Sequence, residues 1–346
     1  MQSVIRRGAP LAAILALLLA LLGPAASAQT PEAGDGAAPA PQLPATITDA
    51  TGAEVTVEDI SRIVPLSGAV TETVFALGLG DNVVAVDVSA TYPEAAQALP
   101  KVGFQRDLNA EAILAMQPTV VIGDEAAGPP AVLDQVRAAG VPVVILANDT
   151  SIEGPPALVR GVGQALGVPE VADAVAVEIE ATIAGVADMV ANVSETPRVA
   201  FVYLRGPETQ LLAGTNTEAD TVITAAGGIN VGAESGTEGY FPVTAEALVA
   251  AAPDVILVTQ GGLASVGGMD GLLAIPGIAQ TPAGQNERIV AFDDLYFLGF
   301  GPRIGEAIHD VALALHPELE GEPINPQWQG TDIGGPPASP EASPAA

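Results

Sequence analysis

Apolar and polar positions along this chain fall into short blocks of two kinds. Aliphatic runs bounded by Gly, Pro or polar residues occur at 63–66, 83–86, 120–123, 143–146, 199–204, 255–258 and 289–291. Runs so uniformly apolar predict parallel strands covered by helices on both faces. Helical patterns fall between them at 72–77, 94–99, 110–116 and 130–139, and after the last at 302–315. Ahead of them, 46–59 alternates like a small hairpin, with Thr51-Gly52 at its turn. The middle of the chain differs. A helical stretch at 157–166 breaks at Gly167-Val168-Pro169, and 170–193 then continues with Gly185 as its only Gly or Pro. These 24 residues, at ~1.5 Å per residue, would span roughly 35 Å. A single helix of that length predicts a stiff connector between two halves.

The halves repeat one another. The segment beginning Ala110-Glu111-Ala112 returns 135 positions later as Ala245-Glu246-Ala247, with six of fourteen positions identical through Pro118-Thr119-Val120 and Pro253-Asp254-Val255. Upstream, the segment from Glu72 to Val83 lines up with that from Asp220 to Val231 at an offset of 148. Thr, Val, Gly, Asn and Val coincide there, and an Arg-led apolar run starting at Arg62 or Arg198 precedes each copy. A unit built twice predicts two similar lobes, and a cleft between lobes is where a ligand would bind.

The chain opens with Arg6-Arg7, an apolar run from Leu11 to Leu22, and Ala26-Ser27-Ala28, the order of a secretory signal cut after Ala28. The apolar run is short for a membrane span. Arg6-Arg7 leaves twin-arginine or general export open. There is no Cys, which removes disulfides, thiolate metal sites, a Cys nucleophile and a lipid-modified Cys. The expectation is a protein free in the periplasm. The Ala-, Pro- and Gly-rich 29–44 and the tail at 321–346 are expected to be disordered. The domain reading is therefore a signal at 1–28, a linker at 29–44, an N-terminal lobe at 45–154, a connecting helical segment at 155–196, a C-terminal lobe at 197–320 and the tail.

The formal net charge is −30, with 41 acidic and 11 basic residues. That balance excludes nucleic acid as a partner and suits a basic protein partner. Scarce cations become informative. Phe104 and Tyr240 precede the two copies of the repeat on equivalent loops, in a chain that is 3% aromatic. Two aromatics at matched positions predict a flat apolar ligand. Arg106 stands two residues past Phe104 and suits a ligand carboxylate, or else pairs with Asp107 or Glu111. Arg303 opens the last helix and either lines the cleft or braces it. His309 and His316 lie seven apart on that helix, and no P-loop, dinucleotide fingerprint or nucleophile elbow is present. No catalytic constellation emerges, and an enzyme is not expected.

Between Arg62 and His316 the chain resembles the hemin-binding periplasmic proteins of ABC importers. The resemblance lies in Ser67-Gly-Ala-Val-Thr-Glu72, Tyr92-Pro93, Leu99-Pro-Lys-Val-Gly103, Asn109-Ala-Glu-Ala112, Glu125-Ala-Ala-Gly-Pro-Pro130, Ala213-Gly-Thr-Asn216, Pro253-Asp-Val-Ile256 and Leu298-Gly-Phe-Gly-Pro-Arg303. It implies an α/β fold of two Rossmann-like lobes joined by one long helix, acting as a monomer. It implies heme as the transported ligand, bound by Phe104, Arg106, Tyr240, Tyr92 and Arg303. It also implies docking to an inner-membrane ABC permease through one acid per lobe, Glu72 and Asp220. The family commonly carries Tyr-x-Arg after Lys-Val-Gly, the Tyr ligating iron. Here the triplet is Phe104-Gln105-Arg106, and Phe has no oxygen to offer. Tyr240 or Tyr92 then becomes the candidate iron ligand, heme binds without one, or the ligand is a cobalamin or ferric siderophore, as in other members of the wider class. A two-lobed enzyme is the reading from outside that class.

Overall fold

The computed structural model describes residues 40–319 together with 321, 323 and 324. The signal at 1–28 and most of 29–44 and 321–346 lie outside the described residues. What is described forms two α/β lobes joined by one long helix.

The N-terminal lobe opens with the hairpin β1 (Ala45–Thr48) and β2 (Glu54–Val57). Then follow β3 (Ile63–Pro65), α1 (Gly68–Ala76), α2 (Glu94–Gln97) and a two-residue hairpin, β4 (Gly103–Phe104) and β5 (Asp107–Leu108). After α3 (Ala110–Ala115) come β6 (Val120–Asp124), α4 (Pro130–Ala138) and β7 (Val143–Leu146). Strands β3, β6 and β7 form a parallel sheet in that order. The aliphatic run at 83–86 does not become a strand of this sheet. Its backbone bonds are divided, Val84 N–H donating to Ile63 O and Val86 N–H to Pro100 O, so it makes only isolated bridges.

Two helices lead to the second lobe, α5 (Gly154–Ala165) and α6 (Pro169–Val190), the latter 22 residues long. Pro169 starts α6 where a missing N–H costs nothing. Its buried stripe of Ala172, Ala176, Ile179 and Val186 follows helical spacing. Glycines on either side bring neighbours close. A Cβ at Gly163 of α5 would lie 2.1 Å from that of Ala172, and one at Gly305 would lie 2.9 Å from Thr182.

The C-terminal lobe contains β8 (Arg198–Leu204), β9 (Gln210–Ala213), α7 (Glu218–Ala225), β10 (Ile229–Asn230), β11 (Tyr240–Pro242), α8 (Ala245–Ala251) and β12 (Val255–Thr259). It finishes with α9 (Gln260–Ser265), α10 (Gly268–Leu273), α11 (Pro282–Gln285), β13 (Ile289–Phe292), α12 (Asp294–Leu298) and α13 (Ile304–Leu315). Its sheet runs β11-β9-β8-β12-β13, with β10 on β8. Strands β8, β12 and β13 match the aliphatic runs. Strands β9 and β11 have no such signal, being three or four residues long, and Pro242 confines β11 to the edge.

The repeat is visible atom by atom. Arg62 Nε donates to Met116 O at 3.2 Å, and Arg198 Nε to Ala251 O at 3.0 Å. Arg62 N–H donates to Thr119 Oγ1 and Arg198 N–H to Asp254 Oδ2, which are equivalent positions. Asn109 caps α3 and Thr244 caps α8, each bonding the N–H three residues on. Gln117 and Ala252, also equivalent, both take positive φ, 49° and 45°.

The lobes are tied together at their base. Glu72 of α1 and Arg303, at the start of α13, form a two-pronged ion pair, Nε to Oε1 and Nη2 to Oε2, each 2.8 Å. Glu72 is 4% exposed and Arg303 8%. The guanidinium lies 3.7 Å from the centre of the Tyr92 ring and 5.1 Å from that of Tyr296. Thr221 Oγ1 of α7 also donates to Thr150 O in the first lobe, at 2.6 Å. Breaking the ion pair strands a charge in a place water does not reach. Glu72→Ala should cost about 3–5 kcal/mol in denaturant unfolding, and Glu72→Met combined with Arg303→Met should recover much of it.

Candidate binding cleft

The parallel strands β6, β8 and β12 end at the same side of the molecule, where an open α/β sheet presents its ligand site. A cleft of about 830 Å³ lies there, lined by residues of both lobes. That volume is near the upper end for small-molecule sites, which run about 300–1,000 Å³.

The first lobe contributes the start of α1, the loop after Val86, the β4–β5 hairpin and the end of β6. Ser67 caps α1 through its hydroxyl, accepting from Val70 N–H. Gly68 N–H donates to Ser89 Oγ at 2.9 Å. A side chain at Gly68 would strike Leu295 of α12 at 2.5 Å, so glycine is required where the two lobes meet on the cleft floor. Phe104 stands on the hairpin with 46% of its surface exposed, and Arg106 follows it on the wall. No described carboxylate pairs with Arg106, so neither Asp107 nor Glu111 neutralises it.

The second lobe contributes Tyr203 and Arg205 from the end of β8, Tyr240 from β11, and Glu218, Gly261 and Asp294. Arg205 lies 4.7 Å over the Tyr203 ring. It is held by Asp294 at 2.8 Å and by Leu204 O at 2.9 Å. The rings of Tyr203 and Tyr240 are 5.6 Å apart. The Tyr240 hydroxyl donates to Glu218 Oε2 at 3.3 Å. Burial, and then the charge of Glu218, pushes the Tyr240 phenol well above its usual range, so it keeps its proton. Burial also raises Asp293, the cap of α12.

Asp87 lies directly behind this wall. It is fully buried and accepts from Ser89 N–H at 3.0 Å. Burial pushes its carboxyl up to about 6, against the opposing pull of Ser89, Gln105 and Lys101.

Of the residues singled out from the sequence, Phe104, Arg106 and Tyr240 come together on the cleft. Tyr92 and Arg303 do not line it; they are stacked on each other, and Arg303 serves Glu72. Glu72, expected at the surface as a docking acid, is buried by the same pair. Asp220 is half-buried and accepts from Asn230 Nδ2 at 2.9 Å, bracing α7 against β10. Sequence reading missed Tyr203 and Arg205. The available signal was a buried strand ending in alternating Tyr and Arg, at the strand end where ligands collect. His309 and His316 lie away from the cleft, bonded to Asp310 and to Ala226 O. Among the described residues no group of three or more His, Asp or Glu is placed to hold a metal ion.

Two α/β lobes, one helical connector and a cleft lined from both sides define a two-lobed substrate-binding protein. The periplasmic binding protein family matches residues 63–296, and the chain belongs to that family. Among solved structures, the chain is 52% identical to the periplasmic heme-binding protein RhuT from Roseiflexus sp. RS-1, with a TM-score of 0.73 over 75% of this chain and 99% of that one. It is 40% identical to the periplasmic heme-binding protein BhuT in complex with two hemes, with a TM-score of 0.68 over 73% and 97%. Among curated sequences, the cobalamin-binding protein of Halobacterium salinarum is 30% identical over 88% of this chain and 83% of its own length.

Asp87 gives the fold a pH dependence. Its folded carboxyl holds a proton more tightly than an unfolded one, so folding takes up a proton between about pH 4 and 6. The Asp87 contribution therefore falls as pH rises through that window, by up to ~3 kcal/mol. Asp87→Asn should remove this loss. Denaturation midpoints measured near pH 4 and near pH 7 should favour the Asn variant over wild type increasingly at the higher pH.

Proposed function

We propose that this protein is the periplasmic substrate-binding component of an ABC importer that carries hemin in its interlobe cleft. The observation that carries the reading is the cleft wall, with an exposed Phe104 on one lobe, a Tyr203–Tyr240 pair on the other, and an unpaired Arg106 beside the phenylalanine. Aromatic walls suit a flat tetrapyrrole, and a free guanidinium suits a propionate. The similarity to heme-binding proteins of known structure supports the same ligand. Delivery would be to an inner-membrane permease, with the strongly acidic chain complementing a basic docking surface. With the signal removed and no Cys to carry a lipid, it would act free in the periplasm, unlike the Bacillus subtilis relative described as a substrate-binding lipoprotein.

A second reading is cobalamin. It is favoured by the Halobacterium salinarum relative and by Phe104, which offers no ligating atom to iron. Visible spectroscopy separates the two. Purified protein mixed with hemin should give a shifted Soret band and a one-site or two-site titration. Arg106→Ala should weaken hemin about tenfold, the weight of one charge-assisted hydrogen bond. An unshifted hemin spectrum together with tight cobalamin binding would replace the first reading by the second.

A further inference from the structure

The cleft wall of the first lobe is assembled around one carboxylate. Asp87 is fully buried, and its Oδ2 accepts from Ser89 N–H at 3.0 Å. The Gln105 N–H acts on the same group from the β4–β5 hairpin. Ser89 Oγ in turn accepts from Gly68 N–H at 2.9 Å, which ties the carboxylate to the cleft floor. The other oxygen, Oδ1, is buried with no hydrogen-bond partner among the described residues. A buried acceptor left unmatched costs free energy, and packing alone would favour an apolar side chain there. The hairpin in front has little hold of its own. It pairs only Gly103 with Leu108 and Phe104 with Asp107, and so short a ribbon is unstable without support from behind.

We infer that Asp87 is a positioning residue for the ligand: through the backbone of Ser89 and Gln105 it decides whether the hairpin bearing Phe104 and Arg106 lies closed against the cleft or lifts from it. The inference rests on this cleft being the ligand site, whichever ligand fills it. In the closed wall burial penalises the charged carboxylate, and in a lifted wall water reaches it. Closed, the carboxyl stands at about 6; lifted, it returns to the ordinary carboxylate range. Closure therefore takes up a proton. It is favoured most below that ordinary range, loses favour as pH rises to about 6, and changes little beyond. A ligand that needs the closed wall binds more weakly by the fraction lifted. Lys101 is the one charge that acts on Asp87, and its Nζ is held by Ala90 O at 3.3 Å and Ala96 O at 3.2 Å. Arg106 and Asp107 on the hairpin are exposed. Glu72 on α1 is paired with Arg303, and on α12 Asp293 faces Arg303 while Asp294 pairs with Arg205.

The mature wild type and Asp87→Asn are titrated with hemin, and separately with cobalamin, at pH 5 and pH 7.5. The ratio of the two proteins' affinities cancels the ligand's own titration. Asn keeps an acceptor for Ser89 and never charges, so the variant should bind more tightly by a margin that widens, up to about tenfold, between the two pH values. Asp87→Ala, which loses the acceptor, should bind more weakly than the Asn variant at both. Hydrogen exchange of the ligand-free protein reads the wall directly. Amide protection at 103–108, relative to that of β7, should fall in wild type as pH rises from 4.5 to 7 and stay level in the Asn variant. If the Asn variant does not fold, as judged by thermal unfolding, the wild-type exchange series carries the test. A pH-independent affinity ratio, or hairpin protection that holds or rises in wild type over that range, overturns the inference. Failure of both ligands to bind overturns the hemin and cobalamin readings, and the exchange series then decides this inference alone.

Discussion

The ion pair between Glu72 and Arg303 is the constraint on which the rest of this structure depends. The two residues are 231 positions apart and belong to different lobes. Both are charged, both are buried, and neither could be stable there without the other. Pairing them fixes the first turn of α13 against α1, and with it the distance between Gly68 and Leu295 on the cleft floor. A buried pair contributes little to net stability over an apolar replacement. Its effect is geometric, since it admits a single register of the lobes. The Tyr92 and Tyr296 rings flanking the guanidinium strengthen that restriction, because a planar cation between two ring faces has little freedom to rotate.

The architecture was legible wherever a residue pattern obeyed one local rule. The aliphatic runs marked β3, β6, β7, β8, β12 and β13 because burial on both faces leaves no polar alternation. The repeat predicted two lobes, and the equivalent contacts of Arg62 and Arg198 show how deep the duplication runs. The short strands β9 and β11 were illegible, since three or four residues carry no periodic signal. The segment at 83–86 looked like a strand because it is aliphatic and buried. It fails to pair along its length because its neighbours on the two sides differ.

The site divides the same way. Phe104, Arg106 and Tyr240 could be placed on the cleft because the repeat gave their positions meaning. Glu72 and Arg303 could not be assigned, because a contact between positions 231 apart leaves no trace in local sequence. Glu72 looked like an acid with a task in solvent and Arg303 like a residue that lines or braces the cleft, and each is the other's counter-ion. Tyr203 and Arg205 were passed over for the opposite reason. They end a strand that reads as core, and their place on the cleft follows from where that strand stops.

The glycines flanking α6 have a bearing on the mouth of the cleft. Gly163 meets Ala172 on one side, and Gly305 meets Thr182 on the other. The connector is therefore a spacer whose effective thickness is set by two missing side chains. A single added methyl at either point would push one lobe outward from the axle, and the displacement would grow with distance toward the rim.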